Sequence, residues 1–454
     1  MSTILFQRQI PVEESYDVVV CGGGPAGVSA AVCAARLGAR VLLVEATGCL
    51  GGTATSGLVT AFDPMADGER MLVGGFMREL VEEVHARGFT GPQVTPDYWR
   101  RYFHCWTPFN PEGLKLVLDE KVATSGVEVR FFTRVVDAEG SAGRLDGVVL
   151  NNVEGFTFVR AKTFIDATGD AVLAALAGVA CREAGRDTEH IMPPTLCSIV
   201  SGIDWSKCLE PDGRLTNGPR GQQRYVDQAV ADGFFSHRDR HVPGAFRIGE
   251  HTAMLNAGHV FGMDALRCRS LSDGMMEGRR LAQEFVAFYR KYVPGFERIE
   301  HVTTASIMGV RESRRIVGEY ELCYEDYCAR RKFADQIGLF CKSVDIHVYD
   351  DSPEQYERYF EEYNHIDRYR PGECYGIPYR ILVPKGFANL WVAGRCVSTD
   401  VKVHGSLRVQ PAASMMGQAA GTAAAQASVT GETAFGLDTA RLCDTLRANG
   451  ATLE

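Results

Sequence analysis

Between Asp17 and Glu45 the sequence holds a β-branched run ending at Cys21, then Gly22-Gly23-Gly24-Pro25-Ala26-Gly27. An alanine-rich stretch to Leu37, Gly38 as a stop, and a second apolar run from Arg40 to Val44 follow. Strand, tight turn, small-residue helix and strand make a βαβ unit. Its glycines have separate duties: Gly22 permits the turn, Gly24 lets backbone approach a pyrophosphate, and Gly27 lets helix pack closely on strand. The helix start at Pro25 and Ala26 then faces phosphate. Glu45, eighteen residues beyond Gly27 and followed by Ala46, stands where a carboxylate accepts hydrogen bonds from a ribose diol. The unit predicts an α/β fold of the Rossmann type with a bound dinucleotide.

With 454 residues, 45% of them hydrophobic, the chain is long enough for two interleaved domains. Helices are expected over Gly75–Arg87, Pro111–Ser125, Met275–Tyr292 and Pro411–Ala427. Strands are expected at Val127–Phe132, Val148–Leu150, Phe156–Val159, Thr163–Ala167 and Leu390–Ala393. Residues 1–170 are read as the first part of the dinucleotide domain, with a small insertion near 60–110. Residues 171–345 carry no nucleotide signature and are read as an α+β substrate or cap domain. The dinucleotide domain returns over 346–431, and 432–454 form a C-terminal tail. A net charge of -9 without a Lys/Arg block argues against nucleic acid and anionic membrane as partners. The apolar Val28–Ala35 stretch is too short to span a membrane. No two of the fourteen cysteines are separated by two residues, so metal sites and a redox Cys-x-x-Cys pair are not expected. A reduced, cytoplasmic protein is the default, and a homodimer the commonest assembly.

Three further glycine exits follow: Leu50-Gly51-Gly52-Thr53, Asp166-Ala167-Thr168-Gly169-Asp170 and Ala393-Gly394-Arg395. Each leaves small residues where backbone amides can meet a long ligand, which points to FAD rather than NAD. The alternative is that they are merely turns. No second glycine-triplet unit is visible, so a nicotinamide is not built in. Oxygen, a quinone, another protein or a loosely bound nicotinamide remain open as the unknown electron acceptor.

The chain resembles the FAD-dependent oxidoreductase family of the glutathione reductase-like superfamily. The likeness runs through Gly51-Gly52-Thr53-Ala54-Thr55, Ile165–Asp170, Gly309–Arg315, Asp345-Ile346-His347, Ile377–Arg380 and Ala393-Gly394-Arg395. It implies extended, non-covalent FAD with its ring at the domain interface, against Gly405–Val409 and the Gly417-Gln418-Ala419-Ala420-Gly421 helix. Val135 completes the expected cofactor contacts. A helix start near Pro411 offers amides and a positive dipole end to flavin N1 and O2. Cys49 is read as a structural thiol rather than a flavin attachment point.

Val403-His404-Gly405-Ser406-Leu407-Arg408 is similar to the His-Gly-Ala-Asn-Arg segment of succinate dehydrogenase and fumarate reductase flavoproteins, where the arginine holds a substrate carboxylate; here Leu407 replaces the asparagine. His404, then His347, are the candidate proton carriers, because imidazole titrates near neutrality. Arg408 is the third candidate catalytic residue. Arg311, Arg314 and Arg315 around Glu312 read first as a structural ion network and second as an anion site. The expected activity is hydride transfer between a small-molecule carbon and flavin N5, of the dehydrogenase type. The rivals are a reductase of an unsaturated carboxylic acid anchored by Arg408, and a non-catalytic flavin subunit that relays electrons.

Overall fold

The computed structural model describes residues 3–5, 7–95, 97–101, 106–208, 222–239 and 242–454. Strand β1 (Val12–Cys21) sends Val18 and Val20 into one apolar cluster and Val19 and Cys21 into another, because successive strand side chains point to opposite faces. Both faces are covered, which is why the run reads as continuously apolar. Gly22 turns the chain into α1 (Pro25–Arg36), and β2 (Val41–Val44) returns parallel to β1 with Val41 opposite Val18. The next stretch holds β3 (Ala61–Phe62), α2 (Gly75–Ala86), the short α3 (Tyr98–Arg101) and β4 (Thr107–Pro108), which pairs back on β3. Helix α4 (Pro111–Thr124) is capped by the Asn110 side chain and leads to β5 (Glu128–Arg130), parallel to β2.

A meander follows: β6 (Arg134–Ser141), β7 (Arg144–Asn152) and β8 (Gly155–Asp166). Strand β8 serves both regions. Its first half pairs with β7, and Thr163–Asp166 pairs in parallel with β1. The sequence suggested two strands here. They are one, because Arg160-Ala161-Lys162 contains no glycine or proline to break pairing.

After α5 (Val172–Leu176) and β9 (Cys181–Glu183) the chain builds a second, antiparallel sheet in the order β11-β12-β10-β13. It comprises β10 (Ser198–Ser201), then, beyond α6 (Gln223–Ala231), β11 (Gly244–Arg247) and β12 (Thr252–Asn256), and, beyond α7 (Cys268–Tyr292), β13 (Glu300–Thr304). Phe285, Phe288 and Tyr289 of α7 cluster with Val200, Ala253 and Leu255 of this sheet. Strand β14 (Arg314–Ile316) pairs back on β9. Then come α8 (Tyr324–Cys328), β15 (Gln336–Phe340), α9 (Pro353–Asn364), and β16 (Tyr375–Pro378), which pairs with β15. Strand β17 (Leu390–Val392) rejoins the first sheet beside β8, giving the parallel order β5-β2-β1-β8-β17. The fold is thus α/β, a Rossmann-type parallel sheet with a meander.

The chain ends in α10 (Val401–Leu407), α11 (Gln410–Thr430) and α12 (Thr439–Ala448). Residues 432–454 are no loose tail, since Leu442, Cys443, Leu446 and Leu453 enter the main core. Helix α11 lies directly on α1. A Cβ at Gly417 would stand 2.0 Å from the Ala26 carbonyl oxygen, and one at Gly421 2.1 Å from that of Ala30. Glycine at these positions lets two backbones touch. This corrects the expectation that Gly417 and Gln418 face the flavin: the Gln418 amide oxygen accepts from Phe76 N at 3.0 Å, which ties α2 to α11.

Gly421→Ala is expected to lower unfolding free energy by about 1–3 kcal/mol through overpacking, with the bound-flavin absorption spectrum unchanged. Denaturant melts and visible spectra check this, and a variant of wild-type stability would contradict the packing account.

Candidate functional site

The parallel strands β1, β8 and β17 end at one edge of the sheet, where open α/β folds bind their ligands. Gly22 is left-handed at φ +103, and a Cβ there would collide with the Ala167 carbonyl at 2.5 Å. A Cβ at Gly27 would sit 1.7 Å from the Gly22 oxygen, so α1 rests on the turn that precedes it. Gly24 is the N-cap of α1 and has no side-chain cap, and Pro25 occupies the first turn. A Cβ at Gly24 would meet nothing within 4 Å. The helix start therefore opens onto clear space with its first amides directed outward.

The second glycine turn lies against the first. Gly51 N donates to the Gly23 carbonyl at 2.8 Å, and Gly52, at φ +51, would bring a Cβ to 3.0 Å from Gly24 Cα. Thr53 accepts from Val59 N through its carbonyl. Glu45 is buried at the end of β2: one carboxylate oxygen accepts from Gly23 N at 2.6 Å, the other from Thr47 N and Oγ1, each at 2.7 Å. Beside it Ala46 is exposed. Val135 is a core residue of β6 next to a register shift, so only its backbone can serve a ligand. Cys49 makes no more than a local contact, Sγ to Ser56 Oγ at 3.2 Å. An unobstructed helix start, glycines where a side chain would fill the approach, and a carboxylate at the end of β2 fit FAD, which Gly22 to Gly27, Glu45 and Gly51 to Thr53 would hold.

At the β8 exit, Ala167 N bonds to the Cys21 carbonyl, and Thr168 donates N and Oγ1 to the fully buried Asp166 at 3.0 and 2.7 Å. Burial pushes the Asp166 carboxyl above its ordinary range despite these donors. Gly394, left-handed at φ +92, ends β17 and presents Arg395. Arg395 is a clamp. Its Nε donates to the Gly169 carbonyl at 2.8 Å, one terminal nitrogen to Asp170 at 2.6 Å, and the other to the Val310 carbonyl. Ser313 Oγ donates to the same Asp170 oxygen at 2.6 Å. Asp170 and Arg395 bind the exits of the first sheet to the segment that follows the second.

The proposed proton carriers need correction. His404 is 1% exposed, its Nε2 donates to the Arg395 carbonyl at 2.8 Å, and its buried Nδ1 has no hydrogen-bond partner. Burial, reinforced by Arg315 and Arg408, holds its pKa well below that of ordinary histidine. No ring nitrogen reaches open space, so His404 positions the Arg395 backbone rather than meeting a substrate. His347 is also buried, with Nδ1 against His259 Nε2 at 3.1 Å and Nε2 accepting from Arg311 Nε at 3.0 Å. Burial and the Arg311 charge hold its pKa far below the ordinary value too.

The accessible group is Asp345. Val344 and Ile346 turn into an apolar pocket with Tyr324 and Ile366, while Asp345 and His347 turn the other way. A Cβ at Gly405 would stand 2.7 Å from the Asp345 carbonyl oxygen, so α10 supports this backbone directly. Protein encloses Asp345, yet its side chain remains 42% exposed, which marks a recess. Arg408, 8% exposed, donates to the Asp345 carbonyl at 3.0 Å and carboxylate at 3.2 Å. Enclosure pulls the Asp345 carboxyl upward, but the Arg408 and Lys342 charges oppose this and hold the group below the ordinary carboxylate range. Lys342 is itself bonded to the buried Asp63 at 2.6 Å.

The Arg311 to Arg315 segment divides. Arg314 pairs with Glu183 at 3.2 Å and Arg315 with Asp187 at 2.6 Å, as structural ties between β14 and the β9 region. Arg311 instead faces the recess, held by the Pro193 carbonyl and Thr195 Oγ1. Burial and the Arg408 charge press its pKa down to about 10, and it stays cationic at neutral pH.

A model of the FAD dependent oxidoreductase family matches residues 17–446. Dihydrolipoyl dehydrogenase of Trypanosoma brucei brucei is 53% identical over 49 residues, 11% of this chain and 10% of its own length. Dihydrolipoyl dehydrogenase 3 of Pseudomonas putida is 34% identical over 164 residues, 34% of this chain and 31% of its own. The chain thus matches a third or less of the length of these relatives. A solved geranylgeranyl bacteriochlorophyll reductase-like protein from Thermoplasma acidophilum aligns over 96% of this chain and 83% of its own, at 14% identity and a TM-score of 0.46. The flavin-dependent halogenase CmlS aligns over 96% and 62%, at 15% identity and 0.48.

Glu45→Gln removes a charge and one acceptor oxygen, and is expected to weaken FAD binding roughly tenfold in a fluorescence titration; unchanged affinity would remove Glu45 from the site. His404 and His347 stay neutral where the unfolded chain protonates, so they contribute stability above about pH 6.5 that is lost as pH falls below it. His404→Asn should therefore make the acid-side fall in unfolding free energy shallower, by about 1 kcal/mol per pH unit below that value. Urea melts from neutral to mildly acidic pH measure the difference, and parallel curves would contradict the burial account.

Proposed function

The chain belongs to the FAD-dependent oxidoreductase family, and from that premise we propose that it is a dehydrogenase of a small molecule whose reacting carbon bears a hydroxyl or amine. Bound FAD supplies a hydride acceptor at N5. The observation that carries the reading is the ionised, accessible Asp345 carboxylate in a recess framed by Arg408, Arg311 and Lys342. A carboxylate so placed accepts a hydrogen bond from the substrate O–H or N–H and turns the neighbouring C–H in one direction. The flanking cations keep it ionised, and Gly405 fixes its backbone against α10.

The rival reading, a reductase of unsaturated acids, would take Arg408 as its anchor: one terminal nitrogen is bonded to Asp345, while its buried Nε has no partner. The second sheet is antiparallel throughout and forms no second dinucleotide unit among the described residues.

Anaerobic mixing of the FAD-loaded protein with panels of polyols, hydroxy acids and amino acids is expected to bleach the flavin with one class. Asp345→Asn should slow that bleaching by about 100-fold or more, with FAD affinity retained. A variant that reduces at the wild-type rate would remove Asp345 from the reaction, and bleaching by no member of the panels would contradict the dehydrogenase reading.

A further inference from the structure

The cations around the recess are not equally neutralised. Arg408 has Asp345 within ion-pair distance, Lys342 has Asp63, and Arg395 has Asp170. Arg311 has no carboxylate that close among the described residues, although only 8% of it is exposed. Its Nε donates to His347 Nε2, and Nη1 donates to the Pro193 carbonyl and to Thr195 Oγ1. These partners orient the guanidinium and carry no charge, since burial keeps His347 neutral. Nη2 makes no hydrogen bond among the described residues and stays open to solvent.

The backbone holds that side chain still. Gly309 N donates to the Thr195 carbonyl at 3.0 Å, and a Cβ at Gly309 would lie 2.7 Å from the same oxygen. The chain two residues before Arg311 is thus pinned to the residue whose hydroxyl accepts from its guanidinium. A buried charge is costly unless an opposite charge meets it. Three neutral acceptors that aim an unneutralised cation at open space leave its counter-ion to come from outside the chain.

We propose that Arg311 Nη2 anchors a substrate carboxylate, and that the substrate is a small acid with a hydroxyl or ammonium on the carbon next to that carboxylate. The assignment rests on the reading that Asp345 receives the substrate O–H or N–H. His347 Nε2 lies 3.0 Å from Arg311 Nε and 3.4 Å from an Asp345 oxygen, so the cation and the carboxylate flank a single imidazole nitrogen. A ligand that meets both must carry its anion and its donor close together, as a 2-hydroxy or 2-amino acid does. Its carboxylate accepts from Arg311 while its hydroxyl or ammonium donates to Asp345, and two such contacts fix which way the C–H between them points. A phosphate ester carries up to two negative charges, and the second would be set against Asp345. A polyol would leave Arg311 without a counter-ion.

The neighbouring cations are less available for this task. Arg408 is bonded to Asp345 through a terminal nitrogen, and its Nε is enclosed. Lys342 is bonded to the buried Asp63.

The probe is 2-hydroxy-2-methylpropanoate, whose carbinol carbon has no hydrogen to lose, so that it binds without reducing the flavin. Calorimetric titration of the FAD-loaded full chain is expected to show this acid binding about tenfold or more tighter than its uncharged amide, which has nearly the same shape. Arg311→Gln is expected to bring the two affinities together, and Arg311→Lys to keep part of the preference, with thermal melts and flavin spectra showing both variants folded and loaded. Equal wild-type affinity for acid and amide, or no binding of the acid, would overturn the anchor whether or not the variants fold. An acid preference that survives in Arg311→Gln would overturn it too, by placing the anion on another cation. Acid preference that depends on Arg311, with no panel member bleaching the flavin, would count against the dehydrogenase reading alone. Bleaching by polyols without any acid preference would count against the anchor alone.

Discussion

The contact of α1 with the turn before it is the constraint on which the rest depends. A Cβ at Gly27 would lie 1.7 Å from the Gly22 carbonyl oxygen, so the helix start is held where β1 ends. That placement leaves Gly24 facing clear space and lets Ala26 and Ala30 receive the backbone of α11 at Gly417 and Gly421. The buried α11 in turn holds α2 and α12. A side chain at Gly417 or Gly421 would push α11 away from α1.

Electrostatics then joins the two sheets. Arg395 bonds to oxygens from the β8 exit and from Val310, and the neutral His404 holds its carbonyl from behind. The recess combines cations with one accessible carboxylate. Arg311 and Arg408 are too buried to be well hydrated, and the Asp345 charge offsets part of that cost for both, with Arg408 bonded to it directly. Removing such a partner from buried charge is costly, and the same arrangement keeps Asp345 ionised for hydrogen bonding.

The nucleotide end was legible in the sequence because its chemistry is local. Gly22, Gly24, Gly27 and Glu45 have their roles by spacing along one βαβ unit. What depended on depth was not legible. His404 and His347 drew attention as imidazoles, yet each is buried with its accessible lone pairs closed off or committed. Gly417 signalled a close approach correctly, but the approaching group is α1 rather than a ligand. Asp345 stood in a noted motif as a flanking acid, and only its orientation opposite Val344 and Ile346 gives it the recess. His259 carried no signal, because its meeting with His347 is made by tertiary packing across 88 residues of chain. The single long β8 was split in two by reading apolar runs without asking what could interrupt the strand between them.

The most direct measurement is the visible absorption spectrum of the purified protein, taken before and after addition of FAD and gel filtration. The account requires flavin absorption that elutes with the protein and is shifted from that of FAD in solution. A colourless protein that retains no added FAD would contradict it at its base, whatever the geometry of the recess.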